Sequence, residues 1–228
     1  MGIKITSHGH STFSINIKGI DVVVDPYLAG NNPAAVKSVS EVVADYILQT
    51  HGHYDHIDDT VALARATGAQ IISNIEIANW INAQGYDNTL ALKIGDSHQF
   101  PFGRIKMTPA VHSSELPDGS DGGDPGGFLV FAEGGTLYVA GDTDLFSEMT
   151  LIGAEGIDVA IIPTGGMVTM DPDDAFTSLN QLKPKNVIPC HYSTWPLIEQ
   201  DMFAWAERVN RDTPVKAVVL GVEESFDL

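Results

Sequence analysis

The sequence predicts an α/β fold in which two mixed sheets pack face to face and helices cover both outer faces, an αββα sandwich. Short segments rich in β-branched residues alternate with helical segments, and both halves of the chain begin strand-rich before that alternation starts. This pattern favours two sheets over one doubly wound sheet. With 228 residues and 43% hydrophobic content, the chain suffices for one large core, so we expect a single domain over residues 1–228.

The first half contains the segments expected for one sheet and its helices. A hairpin is predicted over residues 3–24, because two runs of β-branched residues flank a glycine turn. A helix is expected to begin at Asp58, as its N-cap, and to end at Gly68. The other predicted elements are strands at ADYILQT (44–50) and QIIS (70–73) and a helix at EIANWINAQ (76–84).

The second half repeats the order of strands first and strand–helix pairs later. Three strands are predicted at RIKMTPAV (104–111), GFLVFA (127–132) and TLYVAGD (136–142). Alternating helices and strands then follow at LFSEMTLIGA (145–154), VAIIPT (159–164), PDDAFTSLNQL (172–182), NVIPCH (186–191), PLIEQDMFAWAERV (196–209) and VKAVVL (215–220).

Composition excludes several classes of function. Thirty acidic against twelve basic residues give a formal net charge of −18, spread along the chain, which disfavours binding to nucleic acid. Cys190 is the single cysteine, so no intramolecular disulfide is possible. No apolar run approaches the roughly 18 residues of a membrane span, and no secretory leader is evident. We expect a cytoplasmic protein that acts on a small molecule, with a homo-oligomer left open.

Metal-competent side chains follow the ends of four predicted strands. HGHYDH (51–56) follows the strand ending at Thr50, and His112, Asp142 and His191 each end a later strand. Loops at strand ends converge while the sheet holds them rigidly, so we expect one common site. A lone histidine is more often a hydrogen-bonded core or surface residue, but the joint pattern reverses that preference.

The residue types suit divalent cations. Neutral imidazoles bind Zn²⁺, Mn²⁺, Fe²⁺ or Ni²⁺ through nitrogen, and a carboxylate can bridge two cations and reduce their repulsion. Five histidines and two aspartates suffice for two ions, with Zn²⁺ our first choice. The predicted metal ligands are His51, His53, Asp55, His56, His112, Asp142 and His191.

The same residues resemble the signature of the metallo-β-lactamase superfamily, HxHxDH followed by a distant His, Asp and His. The resemblance runs essentially from end to end and includes HGHST (8–12), DPYLAGN (25–31), AGDTDLFSEM (140–149), MDPDDA (170–175) and PCHYSTWP (189–196). These segments look closest to a branch of small metal-dependent hydrolases related to ascorbate-6-phosphate lactonases. The resemblance implies the metallo-β-lactamase fold.

Carried over position by position, the resemblance implies a division of the ligands between two metals. His51, His53 and His112 would hold one metal. Asp55, His56 and His191 would hold the other, and Asp142 would bridge the two.

Other polar residues have open roles. Asp25 matches the family's early aspartate, which supports the metal site, although capping the turn at Pro26 would also explain it. His10 is a candidate for a supporting or catalytic role, and His8, on the same strand face, a weaker one. We interpret His98 as a surface residue.

Two places depart from the family pattern and both are expected near the substrate. Relatives often carry Gly-Asp where this chain has Gly165-Gly166. The Asp/Gly-rich loop over residues 113–127 also differs from theirs, and a loop this long inside a compact domain is usually functional or disordered. A position at the mouth of the site and a mobile surface excursion are both open for this loop.

The predicted reaction is hydrolysis. Two cations about 3.5–4 Å apart lower the pKa of a bridging water and polarise an electrophile, so a bridging hydroxide would attack an ester, lactone, thioester, amide or phosphoester. Asp55 is the candidate to orient the water or accept its proton. Two alternatives use the same fold: an iron-dependent oxidoreductase, and a non-catalytic metal-binding protein.

Overall fold

Two seven-stranded sheets form the centre of the molecule in the computed structural model, which describes residues 2–228. Fourteen strands and six helices lie within those residues. The strands are β1 Ile3–Ser7, β2 Phe13–Ile17, β3 Ile20–Val24, β4 Tyr46–Leu48, β5 Gln70–Ser73, β6 Thr89–Ala91, β7 Ser97–Phe100, β8 Gly103–Pro109, β9 Gly126–Ala132, β10 Gly135–Val139, β11 Val159–Pro163, β12 Asn186–Cys190, β13 Lys216–Ala217 and β14 Ser225–Asp227. The helices are α1 Tyr54–Ile57, α2 Thr60–Thr67, α3 Ile75–Ala83, α4 Met149–Gly153, α5 Pro172–Leu182 and α6 Met202–Asp212.

Each half of the chain builds one sheet in the same order. The first sheet runs β14-β1-β2-β3-β4-β5-β6, antiparallel up to β3 and parallel from there to β6. The second runs β13-β12-β11-β10-β9-β8-β7, antiparallel from β7 to β10 and parallel from there to β13. The C-terminal β14 crosses back to pair with β1, so the two halves are not independent in their hydrogen bonding.

Three hydrophobic clusters define the layers. The central one lies between the sheets and includes Phe13, Ile15 and Phe128. A second packs α4, α5 and α6 onto the outer face of the second sheet, and a third packs α2 and α3 onto the outer face of the first. Successive side chains of a strand enter different clusters, as in β11, where Val159 and Ile161 join the central cluster and Ala160 and Ile162 the second. The two sheets and their helices therefore form the predicted αββα sandwich, and the fold class is confirmed.

Several element boundaries differ from the sequence-based predictions. The helix expected to start at Asp58 is α2, which starts at Thr60, while Asp58 ends a separate short helix, α1. The residue before α2 is Asp59, but its carboxylate makes no capping hydrogen bond. That carboxylate instead accepts hydrogen bonds from Leu28 N at 2.7 Å and Asn31 Nδ2 at 3.0 Å, and these bonds anchor the loop after β3. The predicted stop at Gly68 is confirmed, with φ of 79° at the end of α2.

The other differences lie in short or polar segments. The helix predicted over 145–154 covers only Met149–Gly153, and the segment 196–209 divides into a 3-10 turn at Pro196–Ile198 and α6. Asp201 causes this division, because its side chain accepts from Ala204 N at 3.0 Å and starts a new helix. The strand predicted over 215–220 pairs only at Lys216–Ala217. The strands β6, β7 and β14 were not predicted, and His98 lies in β7 instead of a turn, although it is exposed as expected.

Within residues 2–228, no helix combines the length and apolar character needed to cross a membrane. Cys190 lies buried in the cluster between the sheets, where burial raises the pKa of its thiol.

The central cluster should dominate the stability of the fold. Phe128 is completely buried between the sheets, so Phe128→Ala should lower the free energy of unfolding by about 3–5 kcal/mol. Phe203→Ala is the matched control, because that ring is 74% exposed and its loss should cost within about 0.5 kcal/mol. Urea denaturation of both variants measures the difference, and equal midpoints would contradict the layer assignment.

Candidate metal centre

The seven predicted ligands converge where strands of both sheets end. β4 delivers the HGHYDH segment from the first sheet. The second sheet delivers His112 after β8, Asp142 after β10 and His191 after β12. The structure thus brings together residues separated by up to 140 positions in sequence, all at one end of the sandwich.

Three imidazoles form one group of possible ligands. Nδ1 of His53 lies 3.1 Å from Nε2 of His51 and 3.2 Å from Nε2 of His112. Tetrahedral ligands with bonds of roughly 2.0–2.1 Å place nitrogens roughly 3.3 Å apart, so the spacing fits one shared cation. Burial lowers the pKa of His51 well below its usual value, which keeps the imidazole neutral and its lone pair available.

A second group lies beside the first. Asp55, His56 and His191 offer atoms within 4.8 Å of one another, together with His10. Oδ2 of Asp55 lies 3.6 Å from Nε2 of His191 and 4.0 Å from Nε2 of His56. A carboxylate and two imidazoles are again a donor set that divalent transition metals accept.

Asp142 stands between the two groups. Its Oδ2 lies 3.0 Å from Nε2 of His191, 3.3 Å from Nε2 of His56 and 3.7 Å from Nε2 of His112. The preceding Gly141 turns the chain there with φ of 65°. An added Cβ at position 141 would come within 2.9 Å of the Thr50 side chain, so this position requires glycine. One carboxylate oxygen therefore faces imidazoles of both groups.

Asp25 supports the centre from behind, completely buried at the end of β3. His56 donates through Nδ1 to Asp25 Oδ2 at 2.8 Å, which leaves Nε2 of His56 facing the site. Thr50 donates to the same carboxylate through N at 2.8 Å and through Oγ1 at 2.6 Å, and its Oγ1 lies 2.9 Å from Nδ1 of His51. Gln49 adds a further bond at 3.2 Å. Asp25 thus fixes the ring of His56 directly and the ring of His51 through Thr50.

His10 contacts the second group from the first strand. Its Nε2 lies 3.2 Å from Asp55 Oδ2, and its Nδ1 lies 2.8 Å from Oγ1 of Thr194. Its ring also packs on His191, with ring centroids 4.1 Å apart. A neutral ring that donates to Asp55 and accepts from Thr194 satisfies both nitrogens, so His10 fits a supporting role better than a ligand role.

His8 lies outside the cluster, buried against Glu223 and Ser14. Both ring nitrogens are engaged there, at 2.7 Å each, and the contact with Glu223 ties β1 to the C-terminal segment. His8 is therefore a structural residue.

The charges and unpaired atoms of the cluster fit cations. Nε2 of His56, Oδ1 of Asp142 and both ring nitrogens of His191 are buried without a hydrogen-bond partner among residues 2–228. Burial alone would raise the pKa of Asp142, but the neighbouring His191 and His56 hold it well below its usual range. In return Asp142 raises the pKa of His191 to about 9 despite burial. Such a pocket requires positive charge, and metal ions satisfy the orphaned atoms as well.

Backbone strain concentrates around this centre. His10, Asp25 and His191 have φ of 57°, 43° and 54°, in the left-handed region that non-glycine residues rarely adopt. Asp25 and His191 each follow directly on a strand, and His10 lies in the turn between β1 and β2. Position 165, beside His191, accepts only glycine, because a Cβ there would lie 2.1 Å from the carbonyl oxygen of His191. The surrounding fold must offset this strain, as is common at functional sites.

The segment after His112 forms one wall of the site mouth. Ser114 Oγ accepts from Gly52 N at 3.1 Å, and the buried Leu116 packs where a side chain at Gly52 would stand. Asn74 donates to the carbonyl oxygens of Gly122 at 2.6 Å and Asp124 at 3.1 Å. The predicted loop is therefore a packed excursion that belongs to the site mouth, and not a surface segment without contacts.

A cavity of about 510 Å³ gives access to the ligands, lined by His53, Asp55, His112, Asp142 and His191 on its floor. A hollow of about 860 Å³ adjoins it at His53 and is bordered by residues 113–121, but it reaches no other predicted ligand. The smaller cavity is thus the one that contains the chemistry.

Residues 20–192 match the family model of the beta-lactamase superfamily domain. The chain belongs to the beta-lactamase superfamily. It is 42% identical to a UPF0173 metal-dependent hydrolase of Bacillus thuringiensis subsp. konkukian, over 99% of this chain and 100% of that relative. This places it in the superfamily among proteins called metal-dependent hydrolases, and confirms the enzyme class that the motifs predicted.

Solved structures agree with this membership. Igni18, a metallo hydrolase of the archaeon Ignicoccus hospitalis, has a TM-score of 0.91 and 32% identity, covering 100% of this chain and 99% of that one. An isothiocyanate hydrolase from Delia radicum gut bacteria has a TM-score of 0.80 and 22% identity, covering 99% and 98%. The latter likeness concerns the beta-lactamase superfamily fold alone.

Sequence reasoning missed the supporting residues. Thr50, Gln49 and Thr194 each contact a predicted site residue through a hydrogen bond. Thr50 could have been predicted, because it directly precedes the HGHYDH segment. Thr194 carries no such signal, because its partner His10 lies 184 positions away.

Asp25 should control metal affinity without binding metal. Asp25→Asn keeps the volume but weakens the bond to His56, so the affinity for Zn²⁺ should fall roughly 10- to 100-fold in chelator competition. Asp87→Asn, at an exposed position, is the matched control and should bind as the wild type does. Thr50→Val should reproduce part of the loss. Unchanged affinity in a cooperatively folded Asp25→Asn variant would contradict this role.

Proposed function

We propose that the protein is a hydrolase with two divalent cations. His51, His53 and His112 would hold one cation, Asp55, His56 and His191 the other, and Asp142 would bridge them. Zn²⁺ suits this donor set first, and Mn²⁺, Fe²⁺ or Ni²⁺ are further candidates. The substrate is a small-molecule ester, lactone, thioester, amide or phosphoester.

The position of Asp142 carries the proposal. Its Oδ2 lies within 4.0 Å of Nε2 of four histidines, two from each group. A single metal site would need only one of the groups, whereas a carboxylate placed between both is the arrangement of a pair. Membership of the superfamily and the names of its metal-dependent relatives support the same interpretation.

Two bound cations would supply an acidified water as nucleophile and would polarise the electrophile. The chain itself provides orientation. Asp55 stays ionised, because the hydrogen bond from His10 and the nearby ring of His191 lower its pKa more than burial raises it. Burial lowers the pKa of His10 to about 4, so this ring is neutral and can hold Asp55 in place through its N–H. We assign Asp55 the role of directing the attacking water and His10 the role of positioning Asp55.

The ligands come from both sheets, so we infer that the whole chain works as one domain. No lysine or arginine lines the cavity among its described residues, which supports a small-molecule substrate and not a nucleic acid. A cytoplasmic location stays a prediction from the sequence.

Metal content and turnover should be lost together. Asp142→Ala removes the bridging carboxylate, so it should reduce bound metal below two equivalents and lower kcat by at least roughly 10³-fold, because both cations are needed. Elemental analysis of the untreated protein and a screen of ester, lactone, thioester, amide and phosphodiester substrates measure both. Full activity of Asp142→Ala would contradict the proposal, and so would stoichiometric iron with oxygen consumption.

His10 should affect rate more than metal content. His10→Ala removes the bond to Asp55 but no proposed ligand, so kcat should fall roughly 10²-fold while two equivalents of metal remain bound. Rescue of part of the rate by His10→Gln, which can still donate to Asp55, distinguishes positioning from general damage. His98→Ala, at an exposed histidine, is the control and should keep wild-type kcat. Loss of one metal equivalent in His10→Ala would show that His10 is a ligand.

A further inference from the structure

An apolar ring of side chains surrounds the mouth of the metal cavity. We call it the collar: Tyr54, Met167, Val168, Trp195 and Leu197. Met167 and Leu197 are each 75% exposed, and Val168 and Tyr54 are 56% and 55% exposed. All five border the same cavity as the predicted ligands, so the apolar surface is continuous with the metal centre.

The collar is built from three separate segments that the fold holds in place. Tyr54 starts α1 inside the HGHYDH segment. Met167 and Val168 stand on a tight loop closed by the bond from Gly166 N to Met170 O at 3.0 Å, and Met167 has φ of 65°. The backbone of this loop is strained, and its apolar side chains are exposed instead of packed in the core. Such a combination is typical of a binding surface.

Trp195 and Leu197 lie on the segment after His191. The ring of Trp195 packs edge-on against His10 with ring centroids 4.8 Å apart, and it lies 6.5 Å from the ring of Tyr54. Gln200 fixes the neighbouring loop by donating to Gly165 O at 3.0 Å. The collar is therefore a preformed surface, which lowers the cost of ordering it on binding.

The charges around the cavity disfavour an anionic substrate. The twelve basic residues all lie within the described residues 2–228, and none of them lines the cavity or the adjoining hollow. Glu115 and Asp121 border the hollow instead. Sites for phosphate or carboxylate groups normally present arginine or lysine, because charge-assisted hydrogen bonds must replace the lost hydration.

We propose that the collar binds an apolar acyl substituent of a neutral ester or lactone, and that the site selects against phosphoesters. This inference rests on the proposed hydrolase function and narrows its substrate class. In the reaction the acyl carbon–oxygen bond breaks, the hydroxyl of water joins the acyl carbon, and the proton leaves with the alcohol oxygen. The cavity of about 510 Å³ lies within the usual range of roughly 300–1,000 Å³ for small-molecule sites.

The test uses probes that share one leaving group. These are the 4-nitrophenyl esters of acetic, butanoic, hexanoic and octanoic acid, with bis(4-nitrophenyl) phosphate as the anionic probe. With the metal-loaded protein, kcat/KM should rise roughly two- to fourfold per buried methylene until the cavity is filled. Turnover of the phosphodiester should be lower than that of every ester from butanoate upward.

Variants of the collar then locate the effect. Met167→Ser and Leu197→Ser should each reduce kcat/KM for the octanoate roughly 5- to 20-fold more than for the acetate, because they remove buried apolar area. Both side chains are largely exposed, so their loss should not affect folding. Leu151→Ser is the matched control, at a position 71% exposed and outside the cavity, and should leave the chain-length series unchanged. Met167→Lys should shift the ratio toward the phosphodiester.

The outcomes separate this inference from the function on which it rests. Metal-dependent ester hydrolysis with a flat chain-length series, or with the phosphodiester preferred, would overturn the collar and leave the hydrolase proposal intact. Absence of metal-dependent turnover on every probe of this panel and of the broader screen would overturn the hydrolase proposal itself. Self-association that Met167→Ser and Leu197→Ser abolish, without any effect on the series, would assign the collar to an interface between copies and overturn the inference.

Discussion

The buried carboxylate of Asp142 amid histidine nitrogens is the interaction on which the rest of the structure depends. A charge removed from water is costly unless it is paired, and among residues 2–228 the partners of Asp142 all belong to this cluster. Its Oδ1 and Nε2 of His56 lack hydrogen bonds within the described part of the chain. The strands that end here must therefore arrive in a register that places imidazoles and carboxylates around a common centre.

The surrounding structure holds these side chains in position at two levels. Asp25 and Thr50 fix the rings of His51 and His56 by short hydrogen bonds behind the centre. Behind them, the hydrophobic cluster between the sheets holds the strand ends in place. The left-handed backbone at His10, Asp25 and His191 persists because these contacts over-determine it. The stability of the sandwich is thereby linked to a strained but ordered site.

Loops and strand ends have different tasks at this end of the molecule. The strand ends present the candidate ligands, and the sheets hold them rigidly while the connecting loops can vary. The loops after β8, β11 and β12 shape the cavity. Residues 113–121 form a polar wall, and Met167 and Leu197 belong to the apolar collar. Gly165-Gly166, where this chain departs from the family pattern, directly precedes Met167 of the collar, and a Cβ at position 165 would clash with the carbonyl oxygen of His191.

The sequence by itself determined the fold class and brought all seven candidate ligands into view, because strand alternation and the HGHYDH spacing are local properties of the chain. Short polar strands such as β7 could not be predicted from the sequence. The start of α2 was also predicted wrongly, at Asp58, because the hydrogen bond between Asp59 and Leu28 is a tertiary contact. Only the tertiary structure decided that Asp25 supports His56, that His10 contacts Thr194 and Asp55, and that an apolar collar lies beside the ligands. The physical reason is sequence distance: these contacts join side chains 31 to 184 positions apart, and no local pattern encodes which distant partner will fill a given hydrogen bond or cavity wall.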